Sequence, residues 1–141
     1  MNTPMITKPR ALIVDDEPDI RELLEITLGR MGIVTTTAKD FASAQKALRN
    51  QQFDICLTDM KLPDGNGIAL VEYIQKQSPE LPVAVITAFG SMELAITALK
   101  AGAFDFISKP IELESLRNTV QTALNLAAPC PTDTDDISSV D

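Results

Sequence analysis

The chain has 141 residues, enough for one domain with a core of its own. Hydrophobic residues make up 45% and charged residues 23%, and no apolar run reaches the ~18 residues of a membrane span, so a globular fold without membrane insertion is expected. A net charge of −8 argues against a direct grip on nucleic acid or an anionic membrane, and with no His and only Cys56 and Cys130 a zinc site has no ligand set.

Residues 1–8 show no periodic pattern and are expected to be a flexible N-terminus. They hold no apolar stretch, so no signal peptide is expected and the cytoplasm is the inferred location. Ala11-Leu12-Ile13-Val14 then predicts a parallel strand buried on both faces, ending on Asp15 and Asp16. Pro18 opens a helix where no N–H is needed. Ile20, Leu23, Leu24, Thr27, Leu28 and Met31 recur at helical spacing, and Gly32 stops the run. Ile33–Ala38 is β-branched and alternating, a second strand. Asp40 can cap a helix through about Asn50, with Ala44, Ala47 and Leu48 facing in. The third strand, Phe53–Thr58, ends on Asp59 and enters a loop of Pro, Asp, Gly and Asn.

Ile68–Gln77 predicts a helix with Ile68, Val71 and Ile74 on one face, broken by Ser78-Pro79. Val83–Thr87 is a fourth strand. Ser91 caps a helix that should carry Leu94, Ala95, Ala98 and Leu99 inward and close near Gly102. Phe104–Ile107 is a short fifth strand, and Leu113, Leu116, Val120, Ala123, Leu124 and Ala127 mark a last amphipathic helix. Residues 9–128 thus form the expected domain. Residues 129–141 hold two prolines and four aspartates, with no basic residue, and are expected to be an acidic flexible tail or the start of a linker.

Strand and helix alternate five times, which predicts an α/β fold with helices on both faces of a five-stranded parallel sheet. In the flavodoxin-like strand order 2-1-3-4-5, all C-terminal tips share one edge, with a crevice between the first and third strands. Polar groups gather at those tips: Asp15 and Asp16, Asp59, Thr87, then Ser108 and Lys109. Adjacent strands lie ~4.8 Å apart, so the three carboxylates converge, and Lys109 reaches them across ~10 Å of backbone separation. Close carboxylates repel unless a cation joins them or one takes a proton. An all-oxygen site with few ligands fits Mg²⁺, which keeps waters and shares itself with phosphate. The set matches what phosphoryl transfer asks of a protein, with Asp59 as nucleophile, Lys109 and Thr87 on the phosphoryl oxygens, and small Ala88 leaving room. Taken singly each residue has a plainer reading. Asp15 and Asp16 suit a helix start, and Asp54, Asp64 and Asp105 read as turn residues or caps.

With these residues in place, the chain resembles the receiver domain of bacterial two-component response regulators. The stretches ALIVDDEPDIRELLEITLGRMG, FDICLTDMKLPDGNG, AVITAFG and AGAFDFISKP are similar to the Ntr-type regulators that activate sigma-54 promoters. The resemblance implies a phosphoacceptor domain rather than a turnover enzyme, phosphorylated on Asp59 by a sensor histidine kinase. It implies Mg²⁺ held by Asp15, Asp16, Asp59 and the Lys61 carbonyl. It makes Thr87 the switch hydroxyl, Phe106 the switch aromatic, Lys109 the phosphate-binding lysine and Lys109-Pro110 a cis bond. Lys61 and Phe89 would tune the lifetime of the phosphorylated state; Lys61 either binds a phosphoryl oxygen or points to solvent. A homodimer through the Ser91–Ala101 helix, the fifth strand and the last helix is a further implication. The ATPase and DNA-binding domains of whole regulators are absent from this chain.

Two other readings compete. A haloacid-dehalogenase-type phosphohydrolase uses a similar residue set but wants a D-x-D pattern after its first strand. Neither Asp15-Asp16-Glu17 nor Asp59-Met60-Lys61 supplies it. A phosphorylation-independent interaction module would not need the intact acid set with Thr87 and Lys109.

Overall fold

The computed structural model describes residues 8–88 and 92–127. The expected N-terminal segment before Lys8, the position of Phe89, the Ser91 cap and the tail from residue 129 lie outside the described residues. Strands β1 (Arg10–Val14), β2 (Val34–Ala38), β3 (Ile55–Asp59), β6 (Val83–Thr87) and β7 (Asp105–Ser108) form one parallel sheet in the order β2-β1-β3-β6-β7. Counted along the central sheet alone, this is the flavodoxin-like order 2-1-3-4-5. Strands β4 (Lys61–Leu62) and β5 (Gly65–Asn66) make a small antiparallel hairpin directly after β3. Helices α1 (Pro18–Arg30), α2 (Phe41–Asn50), α3 (Gly67–Gln77), α4 (Met92–Ala101) and α5 (Leu113–Ala127) complete the fold. Among the described residues, no helix is long and apolar enough to cross a membrane.

Strand side chains alternate between faces, and this divides the core in two. Leu12, Val14, Cys56, Val83 and Val85 pack with Ala44, Leu70, Val71, Ile74 and Ala98 on the α2–α3–α4 face. Ala11, Ile13, Ile55, Leu57, Ala84 and Ile86 pack with Leu24, Leu28, Leu116, Val120 and Ala123 on the α1–α5 face. Every residue of β3 and β6 is buried, which explains why both strands read as unbroken apolar runs. Burial pushes the Cys56 thiol up to about 12, leaving it an unreactive core residue.

The structure departs from the expected elements at several points. Strand β3 runs Ile55–Asp59 rather than from Phe53, and β7 runs Asp105–Ser108 rather than from Phe104. Strand β2 starts at Val34, because Ile33 is buried but its N–H donates to the Leu28 carbonyl at the end of α1 rather than to β1. Leu70, not singled out beforehand, is fully buried on α3, whereas Ile68 is only partly so. On α4, Ala95 and Ala98 are buried, but Leu94 and Leu99 are 38% and 39% exposed. At 3.6 residues per turn the line between Ala95 and Ala98 faces the sheet, and both leucines fall about 70° to either side. Short alanines seat the helix against the sheet, and the leucines flank the contact.

Asp40 caps α2 by accepting the Ser43 N–H at 2.8 Å, and Asn66 caps α3 by accepting the Ala69 N–H at 2.7 Å. Asp54 takes the Arg10 N–H at 2.8 Å, and Asp105 takes its neighbour Phe106 N–H at 2.7 Å. Gly67 is required by a close approach. Its N–H donates to the Met60 carbonyl at 2.9 Å, and a Cβ there would run into the Asp59 carbonyl oxygen. A Gly67→Ala variant should lose about 1–3 kcal/mol of stability in urea unfolding, because backbone must move to admit the methyl. A loss under about 0.5 kcal/mol, the range of ordinary surface changes, would contradict this packing.

Candidate functional site

Sheet register alone brings the polar tips together. Val14 pairs with Thr58, so Asp15 and Asp59 stand across from one another, each one residue further on. Asp59 pairs with Ile86, which puts Thr87 one step beyond it on the neighbouring strand. Thr87 pairs with Ser108, and its carbonyl accepts the Lys109 N–H at 2.8 Å. One carboxylate oxygen from each of Asp15, Asp16 and Asp59 lies within 4.8 Å of the others. Asp15 and Asp59 are buried and Asp16 is exposed, so the cluster opens to solvent on one side. Lysine 109 reaches in as its length allows, with Nζ 3.6 Å from Asp59 Oδ1.

Two of the three carboxylates are held by backbone. The Glu17 N–H donates to Asp15 Oδ1 at 2.8 Å, and the Met60 N–H donates to Asp59 Oδ1 at 2.8 Å. The second oxygen of Asp15 is buried with no hydrogen-bond partner. A buried acceptor left open in this way costs free energy unless something positive meets it. Burial accordingly pushes the Asp15 carboxyl up to about 6, aided by the charge on Asp59 and opposed by the Glu17 N–H. Burial also raises the Asp59 carboxyl, against the pull of Lys109. Burial alone would lower Lys109, but the charges of Asp59, Asp15 and Glu17 outweigh it and hold the ammonium above its ordinary value.

Three converging carboxylates, one with an orphaned buried oxygen, fit a hard divalent cation with oxygen ligands, and Mg²⁺ suits so small a ligand set. Lys61 and Ala88 line the same cleft of about 320 Å³ as Asp16, Asp59 and Lys109. Thr87 is buried beside it at the tip of β6. Phe106 is set apart. It is partly buried against the α2–α3–α4 core and lines a second cavity with Ser108 and Pro110. The Lys109–Pro110 peptide bond is cis. A larger cavity of about 680 Å³ lies at the opposite edge of the sheet, between Leu48, Phe53 and Pro82, and holds no comparable set of groups.

Sequence reasoning missed two participants. Glu17 Oε1 lies 3.3 Å from Lys109 Nζ, so the lysine is shared between Glu17 and Asp59. Arg21 donates to the Asp15 carbonyl at 2.8 Å and ties the first turn of α1 to the tip of β1. In the sequence Glu17 reads only as a helix-start acid. Its partner is 92 residues away, and only the sheet order reveals the pair.

Comparison with known proteins agrees with this geometry. The family model for the response regulator receiver domain matches residues 11–121. The response regulator protein PilR of Pseudomonas aeruginosa is 59% identical over 124 residues, covering 88% of this chain and 28% of PilR. The crystal structure of the receiver domain of NtrX from Brucella abortus superimposes with a TM-score of 0.79 at 39% identity, covering 82% of this chain and 98% of that one. The solution structure of the beryllofluoride-activated NtrC4 receiver domain dimer gives 0.80 at 34% identity, covering 84% and 98%. The chain spans about a quarter of the length of the curated relatives it matches.

The raised Asp15 carboxyl has a consequence for stability. In the unfolded chain it titrates near 3.9. The folded protein therefore holds this proton more tightly, and the stabilisation is complete below about pH 4 and lost as pH rises through about 6. The loss corresponds to about 3 kcal/mol across that window. In metal-free buffer, Asp15→Asn should be more stable than the parent at pH 7.5 and close to it at pH 4.5, by thermal unfolding at both pH values. A variant less stable than the parent at pH 7.5 would refute the cost of burying a charged Asp15 inferred here.

Proposed function

The chain belongs to the response regulator receiver domain family, and we propose from that premise that it accepts a phosphoryl group on the Asp59 carboxylate. The observation that carries this reading is the position of Asp59. It is nearly buried at a strand tip, 3.6 Å from the Lys109 ammonium and grouped with Asp15 and Asp16. Asp59 Oδ1 is engaged by the Met60 N–H and Lys109, which leaves Oδ2 to attack. The oxygen attacks phosphorus of a phosphohistidine on a sensor kinase. The O–P bond forms as the P–N bond breaks, and the electron pair returns to the imidazole ring. Asp15, Asp16, Asp59 and the Lys61 carbonyl would hold Mg²⁺, which would supply positive charge to offset the carboxylates and the phosphoryl oxygens.

Lys109 is already poised between two carboxylates, and a phosphoryl oxygen on Asp59 gives it a stronger partner than either. The Thr87 hydroxyl, one strand over, then turns toward the phosphoryl group, and Phe106 moves into the vacated space. This shifts an existing equilibrium rather than creating a new fold. The surface affected is α4, β7 and α5, where Met92, Leu94, Ile96 and Leu99 leave α4 with exposed apolar side chains. We place a homodimer contact on that surface, as the NtrC4 receiver dimer makes such an assembly reasonable for this chain. In the whole protein we place ATPase and DNA-binding domains and sigma-54 promoters downstream of the switch; the greater length of the relatives leaves room for such domains, and the DNA-binding transcriptional regulator NtrC among them supports a DNA-binding output. The domain acts in the cytoplasm and catalyses only its own phosphorylation and slow dephosphorylation.

Incubation with acetyl phosphate and Mg²⁺ should add one phosphoryl group per chain by intact mass, in a form cleaved by hydroxylamine. Asp59→Asn should add none. Thr87→Ala should be phosphorylated yet show none of the parent's amide shift changes in α4, β7 and α5. Repeated turnover with release of phosphate would instead point to a hydrolase. Labelling of Asp59→Asn at the parent rate would overturn the assignment.

A further inference from the structure

The loop that leaves Asp59 is anchored at both ends. At its start the Met60 carbonyl accepts the Gly67 N–H at 2.9 Å, and at its close Asn66 caps α3. Between these points the chain has only the β4–β5 hairpin, in which Lys61 pairs with Asn66 and Leu62 with Gly65. Two pairs are too few to hold a hairpin in one shape by themselves. The tip of the hairpin is fixed from outside. Asp64 Oδ1 accepts the Phe41 N–H at 2.7 Å, and Asp64 Oδ2 accepts the Ala42 N–H at 3.1 Å. The next residue, Gly65, lies so close to α2 that a Cβ would come 3.1 Å from the Phe41 ring.

Helix α2 already has a cap of its own, because Asp40 takes the Ser43 N–H. A second carboxylate at the same N-terminus is favoured by the dipole, but it comes from 23 residues away and brings the phosphoacceptor loop with it. We infer that Asp64 is a positioning residue: its two hydrogen bonds to the first turn of α2 hold the Asp59–Gly67 loop in the shape that presents Asp59 and Lys61 to the cation. This rests on the phosphoacceptor reading given above. Lys61, Asp59 and Asp16 line one cleft, and Lys61 sits in the hairpin whose tip Asp64 secures. Without that tie the loop samples other shapes, and the cation must select the competent one, which lowers apparent affinity in proportion.

The two aspartates provide their own control. Asp40→Ala and Asp64→Ala each remove a side-chain acceptor from the same helix end, but only the second releases the loop. Mg²⁺ binding would be followed by amide shifts in the isotope-labelled chain, alongside hydrogen exchange at Phe41 and Ala42. Asp64→Ala should bind Mg²⁺ about tenfold more weakly and exchange both amides faster, a change equivalent to ~1.4 kcal/mol. Asp40→Ala should stay within about twofold of the parent, well inside that tenfold step. Asp64→Asn, which keeps one acceptor, should fall between, and it decides the matter if the alanine variant does not fold. Parental affinity in Asp64→Ala, or equal loss in Asp40→Ala, would overturn the inference while leaving the phosphoacceptor reading intact. Absence of Mg²⁺-dependent shifts around Asp59 in the parent would overturn both.

Discussion

Three carboxylate oxygens held within 4.8 Å of one another are the constraint on which this molecule is built. Such a cluster repels itself, and in a flexible chain it would fly apart. Here it cannot, because Asp15 and Asp59 terminate adjacent buried strands whose register is set by packing on both faces. The core therefore does more than stabilise the fold. It holds charge in place that solvent would otherwise disperse, and the orphaned oxygen of Asp15 and the raised carboxyls of Asp15 and Asp59 are the cost. A site strained in this way gains on meeting a cation, and its geometry needs little reorganisation to do so.

Lys109 is the only basic side chain paired into the cluster among the described residues, and it divides itself between Asp59 and Glu17. That sharing suits a switch better than a single tight ion pair would. A lysine locked on one buried carboxylate is expensive to detach. One held by two partners, of which Glu17 is exposed, can change allegiance with little loss. The route outward runs along β6 and β7. The Lys109 N–H bonds the Thr87 carbonyl, and Val85 lies beside Phe106 in the register. Leu94 lines the cleft and also belongs to the exposed face of α4. A change at Asp59 thus has a short physical path to an apolar surface.

Most of this was legible in the sequence because strand tips in a parallel sheet share one edge, so Asp15, Asp16, Asp59, Thr87 and Lys109 needed only the strand order to meet. Residues whose role depends on side-chain reach were harder to find. Glu17 looks like any helix-start acid until Lys109 is placed opposite it. Asp64 sits in a Pro-Asp-Gly turn, and nothing local says that its carboxylate crosses to α2. The inward leucines expected on α4 were misread for a different reason. Periodicity identifies an apolar stripe but not which part of it touches the sheet, and two alanines allowed the helix close enough to leave Leu94 and Leu99 at the margins.

The central claim is that the clustered carboxylates exist to let Asp59 carry a phosphoryl group. Borohydride reduction tests it most directly, since an aspartyl phosphate is reduced to homoserine whereas a free carboxylate is not. After treatment of the protein with a phosphoryl donor and Mg²⁺, peptide mapping should find homoserine at position 59 and at no other aspartate. Homoserine at Asp15, Asp16 or Asp64, or at no aspartate at all while phosphoryl transfer proceeds, would contradict the account.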